Sequence, residues 1–282
     1  MIARKPNRSL SVFLALLADT FQEASARWLF WGLFGLSTLL IGFFLFILKI
    51  DVVEGAVSLL GLEQTTHHFW SLERLVRLSY SRVAIFLYIW GTFLAIFASA
   101  GLIPSVLEPG RIGLLLSKPV SRVTLLMGRF TGNILLVTAN VLYLILSIWV
   151  IVGWKTGLWF REFLLVIPIT VFVFAVLLCV VTLIGVAFES SSVAVMVAIA
   201  LMLISAVLAQ KDNVVKLLGS QWSRDLWTGL YWILPKVWDL GRAMMSLISD
   251  RQAAWITPAW TSGVFGLLVL AGAIQIFRKR DY

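Results

Sequence analysis

Six stretches of this chain contain no Asp, Glu, Lys, Arg or His: residues 28–48, 83–107, 130–154, 163–188, 190–210 and 252–277. Each is 21 to 26 residues long. About 20 apolar residues carry a helix through the hydrocarbon core of a bilayer. None of the six alternates apolar and polar residues with period two, which excludes the strands of a membrane barrel. Only 13% of the residues are charged, about half the share in a soluble domain. The expected fold is an all-α polytopic membrane protein with six transmembrane helices at about those positions.

The segments between the runs set the orientation, because short loops rich in Lys and Arg stay in the cytoplasm. The stretch 108–129 carries Arg111, Lys118, Arg122 and Arg129 against Glu108 alone. The first 27 residues and the tail after the sixth run are also net basic, whereas the loop after the first run is balanced. Both termini and 108–129 are therefore expected in the cytoplasm, with 49–82 and 211–251 outside. The net charge of +9 follows from this bias. Its basic residues are dispersed, so no nucleic-acid partner is expected.

Residues 7–27 read as an amphipathic helix. Leu10, Leu14, Leu17, Phe21 and Trp28 share one face at a 3.6-residue period, while Asp19, Glu23 and Arg27 fall off it. Such a helix suits an interfacial elbow ahead of the first span, with 1–27 as the elbow and 28–282 as one transmembrane domain. The apolar patch near the start is cut by Asp19 and Glu23 and lacks a small-residue cleavage site, so no signal peptide is expected to be removed. Within 49–82, residues from Trp70 to Arg82 read as a short amphipathic helix leading into the second span. The loop 211–251 holds Trp222, Trp227, Trp232 and Trp238. Trp prefers the headgroup level, which predicts short helices on the outer face before the sixth span.

Candidate chemistry is sparse. Cys179 is the one cysteine, which leaves no intrachain disulfide. His67 and His68 are adjacent and point to different faces, so no metal site is expected. The spans hold no ionisable group at mid-depth, where ion-coupled carriers place theirs. Asn140, Thr138, Ser147, Thr170, Thr182 and Ser205 are read as interhelical hydrogen-bonding groups. There is no phosphate-binding loop and no hydrolase motif, so the chain is expected not to be an enzyme.

A membrane protein without coupling groups of its own can take energy from a partner, and 108–129 is the candidate contact. Pro109 suits the first turn of a short helix. Ile112, Leu114, Leu115 and Leu116 give that helix an apolar side, Pro119 ends it, and Ser121 is placed to cap the next. The pattern resembles the permease subunits of type-2 ABC transporters, the exporter-like class. Its parts are Glu108, Gly110 and Arg111, then Leu114-Leu115-Leu116-Ser117-Lys118-Pro119-Val120-Ser121-Arg122, then Leu125-Leu126-Met127-Gly128-Arg129. Leu234-Pro235 and the basic-plus-Asp tail 277–282 agree with it. Pro109-Gly110 stands where many relatives have a charged pair before the Gly.

The resemblance implies a coupling helix seated in a cleft of a separate ATPase. Its contact residues would be Glu108, Gly110, Arg111, Leu114, Leu115, Leu116, Ser117, Lys118, Pro119 and Arg122. It implies two permeases, as a homodimer or with a paralogue, and two ABC-type ATPases in the cell inner membrane. ATP and Mg would be held by the ATPases and no cofactor by this chain. A different class of function fits the same loop, namely a non-transporting scaffold or assembly factor that recruits a cytosolic protein. A membrane enzyme on lipids fits less well, because no cluster of Asp, Glu and His gathers at the interface.

Overall fold

The computed structural model describes residues 8–46, 50–53, 56–59, 72–101, 121–217, 219–249, 252 and 254–279. These form α1 (Arg8–Ser25), α2 (Trp28–Phe46), β1 (Ile50–Val53), β2 (Ala56–Leu59), α3 (Leu72–Ala100) and α4 (Arg122–Thr156). After a 3-10 turn at Arg161–Leu165 come α5 (Val166–Phe188), α6 (Ser191–Leu208), α7 (Lys211–Leu217), α8 (Gln221–Ile233), α9 (Val237–Ile248) and α10 (Ile256–Lys279). Five helical segments are long and apolar enough to cross a membrane: Arg77–Ser99 within α3, then α4, Arg161–Phe188, α6 and α10. Helices α1 and α2, bent by 70° to each other, supply a sixth when taken together. The expected polytopic helical fold is the observed one.

Helix α5 is the axis of the bundle. It is apolar on all sides, and a helix of that kind is stable only when surrounded. Helices α3, α4, α6 and α10 pack around it. Val173, Phe174, Leu177, Leu178 and Val181 are fully enclosed. The outer helices keep large apolar side chains on their far faces, among them Leu39, Met196, Leu267 and Leu268. In a bilayer these meet lipid rather than water.

Local chemistry sets the helix ends. Ser121 caps α4, its hydroxyl accepting from the Thr124 amide at 3.1 Å. Ser190 caps α6 in the same way through the Val193 amide. Gly157 ends α4 in the left-handed conformation at φ 70°, which costs glycine little. Glu189 ends α5 in that conformation too, at φ 54°, its amide donating to the Gly185 carbonyl.

Three features depart from the expected layout. Residues 50–59 include a two-stranded antiparallel hairpin, with Ile50 opposite Leu59 and Val53 opposite Ala56. Its β-branched Ile50, Val52, Val53 and Val57 favour strand geometry. The short helix expected around 70–82 is not separate, since α3 runs unbroken from Leu72 through the second span. No Gly or Pro lies between Leu72 and Ile89 to interrupt it. Arg77, which a charge-free window places outside the span, lies over the Phe160 ring at 4.6 Å and donates to the Ile248 carbonyl. Finally, α9 does not lie on a surface. Val237, Leu240, Met244 and Ile248 bury it against α3 and its neighbours.

Candidate functional site

The contact surface expected from sequence falls mostly outside the described residues. Glu108, Gly110, Arg111, Leu114, Leu115, Leu116, Ser117, Lys118 and Pro119 all lie there. The two anchors of that segment are described: the end of α3, and the first turns of α4 from Ser121 and Arg122 onward.

The second anchor, the start of α4, packs against α1. Gly128 and Gly132 stand four apart on α4, so they share one helical face. A Cβ built on Gly128 falls 2.9 Å from the Leu16 Cβ, and one on Gly132 falls 2.7 Å from the Thr20 Cγ2. The two glycines are therefore the groove into which α1 packs, as small residues four apart allow helices in a bilayer to do. Leu16, Thr20 and Ala24 are buried there, while Leu14, Phe21 and Trp28 face outward. The exposed set belongs to the apolar stripe read from the sequence.

The polar side of α1 is not merely solvated. Arg129, between the two glycines, is 1% exposed and pairs with both Asp19 and Glu23. Arg27 binds the same Glu23 at 3.0 Å. Arg129 was counted from sequence as a boundary charge, yet its guanidinium is committed to the chain's own N-terminal helix. The acids sit 106 and 110 residues away in the chain, a separation no local pattern reveals. The glycine pair at 128 and 132 was the legible signal. The bend into α2 is pinned by the Trp31 indole, which donates to the Ser25 carbonyl at 2.8 Å.

Beside this clamp the ends of α1 and α3 and the starts of α2 and α4 border a small, partly open cleft. Arg27, Ser99 and Asn133 are its polar lining. Asn133 is buried, and its amide has no hydrogen-bond partner among the described residues. Two turns along α4, Asn140 accepts from Ser37 of α2 at 3.2 Å.

The geometry makes one mechanical unit of α1 and the start of α4, since packing and ion pairs join them at the same turns. Among the described residues no group of three or more His, Cys, Asp and Glu is placed to hold a metal. No curated protein matches the chain. A family model described as "ABC-2 family transporter protein" matches residues 14–211, well over half of the chain, from α1 through the start of α7. The chain therefore belongs to the ABC-2 family of transporter proteins and is a membrane permease component of a type-2 ABC transporter.

Proposed function

We propose that this permease works with a separate ABC-type ATPase, which meets it at residues 108–122, and that the ATP-driven step exports the substrate. Family membership implies association with such an ATPase. The observation that carries the assignment to this end is the clamp of Arg129 on Asp19 and Glu23, which ties the segment's exit to α1. A push on a loose loop would dissipate. A push on a segment anchored in this way moves α1, α4 and the first span together. ATP and Mg belong to the partner, and this chain contributes no hydrolytic group.

In this reading both termini and the 108–122 contact lie in the cytoplasm, and α7 to α9 lie at the outer side of the inner membrane. Burial of Leu114, Leu115 and Leu116 supplies the contact energy, while Arg111, Lys118 and Arg122 orient it. A second permease, as a copy or a paralogue, completes a unit with two ATPases.

The test is co-purification from membranes expressing the permease and its ATPase. Leu115→Asp buries a charge in the contact and should release the ATPase while the permease remains folded and in the membrane. Glu108→Ala and Arg122→Ala should keep the complex and lower substrate-stimulated ATP hydrolysis. An intact, fully stimulated complex carrying Leu115→Asp rules out this contact.

A further inference from the structure

The deepest polar feature at the other end of the molecule is Lys236, which the transport reading does not use. Lys236 lies in the short connection between α8 and α9. The connection is inserted below the helix ends around it. The Lys236 amide donates to Ser262, six residues into α10, about 9 Å from its start at 1.5 Å per residue. The Trp238 amide donates to Ser205, a turn before the end of α6. The Tyr88 hydroxyl, well inside the span formed by α3, donates to the Val237 carbonyl at 2.6 Å. An ionisable side chain carried into a membrane bundle in this way is costly and marks a site of function.

Lys236 is 2% exposed, and among the described residues no carboxylate pairs with it. Its ammonium is held by the Thr261 hydroxyl at 2.8 Å and lies 4.7 Å from the centres of both the Tyr231 and Trp232 rings. A second ammonium, that of Lys211, lies 4.4 Å from the same Tyr231 ring. Asp239 is already engaged: one oxygen takes Arg242 and the other accepts from the Tyr231 hydroxyl at 3.0 Å. Asp212 also acts on Tyr231, so Lys211, Lys236 and Arg242 stand against Asp212 and Asp239 and leave the cluster net positive. Burial lowers the Lys236 pKa, Asp239 draws it back up, and Lys211 pushes it down again.

We propose that Lys211 and Lys236, both lying over the Tyr231 ring, bind the phosphate-class headgroup of an anionic lipid in the adjoining leaflet. Charge complementarity selects an anion, and two features select a lipid over a free ion. The site lies inside the helix ends, and apolar side chains next to it in the chain are exposed: Trp232 and Ile233 before Lys236, and Trp260 before Thr261. Trp232 covers the Lys236 ammonium and faces outward, so the headgroup reaches that ammonium by replacing the ring. The glycerol and upper acyl chain then lie on the exposed indoles. This assignment is independent of where the ATPase docks.

Native mass spectrometry of the intact protein released from nanodiscs tests it. One set of discs contains phosphatidylcholine with phosphatidylglycerol. The other contains phosphatidylcholine alone with inorganic phosphate in the buffer. Retention of phosphatidylglycerol by the unaltered chain is expected, falling about tenfold in Lys211→Met and in Lys236→Met, the weight of one charge-assisted contact. Lys216→Met, an exposed neighbour outside the cluster, should leave retention unchanged. Lys211 is half-buried and makes no ion pair among the described residues, so its variant reads the site even if Lys236→Met misfolds. Equal retention by Lys211→Met and the unaltered chain overturns the proposal. So does a phosphate adduct, lost in Lys211→Met, that forms in phosphatidylcholine discs while phosphatidylglycerol is not retained.

Discussion

Replacing Arg129 with Met keeps the length and apolar stem of the side chain and removes its charge. The guanidinium is almost wholly buried, and Glu23 beside it is 9% exposed, whereas Asp19 is 47% exposed. Removing one partner of a buried ion pair costs about 3–5 kcal/mol, because the other charge is left in a poor solvent. The Asp19 share is small, since a half-exposed carboxylate is rehydrated in place. Glu23 keeps Arg27, which softens its loss. The expected cost is therefore near the lower bound, about 3 kcal/mol. In a protein of this length that lowers the melting temperature by on the order of 5–10 °C. Fluorescence-detected size exclusion after heating, at fixed detergent and lipid, measures it. Adding Glu23→Gln should recover part of the loss, because a buried carboxylate then stabilised by fewer cations is gone. The reasoning is refuted if Arg129→Met melts with the unaltered protein, or if Glu23→Gln deepens the loss.

Two further substitutions probe the contacts that place the two ends. Gly132→Ala sets a methyl 2.7 Å from the Thr20 Cγ2 and should cost about 1–3 kcal/mol by forcing α1 off α4. Gly263→Ala, whose new methyl meets nothing nearer than 3.7 Å, is the matched control and should melt normally in the same assay. Tyr88→Phe removes the donor to the Val237 carbonyl and should cost about 1–3 kcal/mol. Its signature in hydrogen–deuterium exchange is faster exchange across α9, with α5 unchanged.

The span layout was legible because it rests on runs of like residues, which are local. Ser121 was legible as a cap for the same reason, since a cap and its helix are contiguous. The inner-facing side of α1 was not. Its period identified Leu14, Phe21 and Trp28 as an apolar face, but a helix lodged between lipid and protein buries a second face. Leu16, Thr20 and Ala24 are small or mid-sized residues with no periodic contrast to announce them. Only the glycines at 128 and 132, far along the chain, explain why they are buried. In the proposed contact segment 108–122, prolines, leucines and basic residues stand in a recognisable order. The described part of that site is its anchoring, not its surface.

Charge counting failed at Arg129 and Lys236, and the way it failed separates the two roles. Arg129 was assigned to the cytoplasmic boundary because it lies just before a charge-free run, and Lys236 to the outer segment 211–251 between two such runs, yet each is buried. A buried charge must be neutralised by partners or held at a cost. Arg129 is neutralised within the chain by Asp19 and Glu23, so nothing remains for a ligand, and its effect is mechanical. Among the described residues Lys236 touches a hydroxyl and two ring faces, which stabilise a cation without cancelling it, while Asp239 is already paired with Arg242. Lys211 adds to the same field. The uncancelled charge is what a headgroup can complete, and it lies where two lipid-facing indoles provide a place for the rest of the lipid. Installing an acid would convert the second situation into the first. Thr261→Asp, beside the Lys236 ammonium, should therefore abolish lipid retention while raising stability, a combination that simple loss of fold cannot produce.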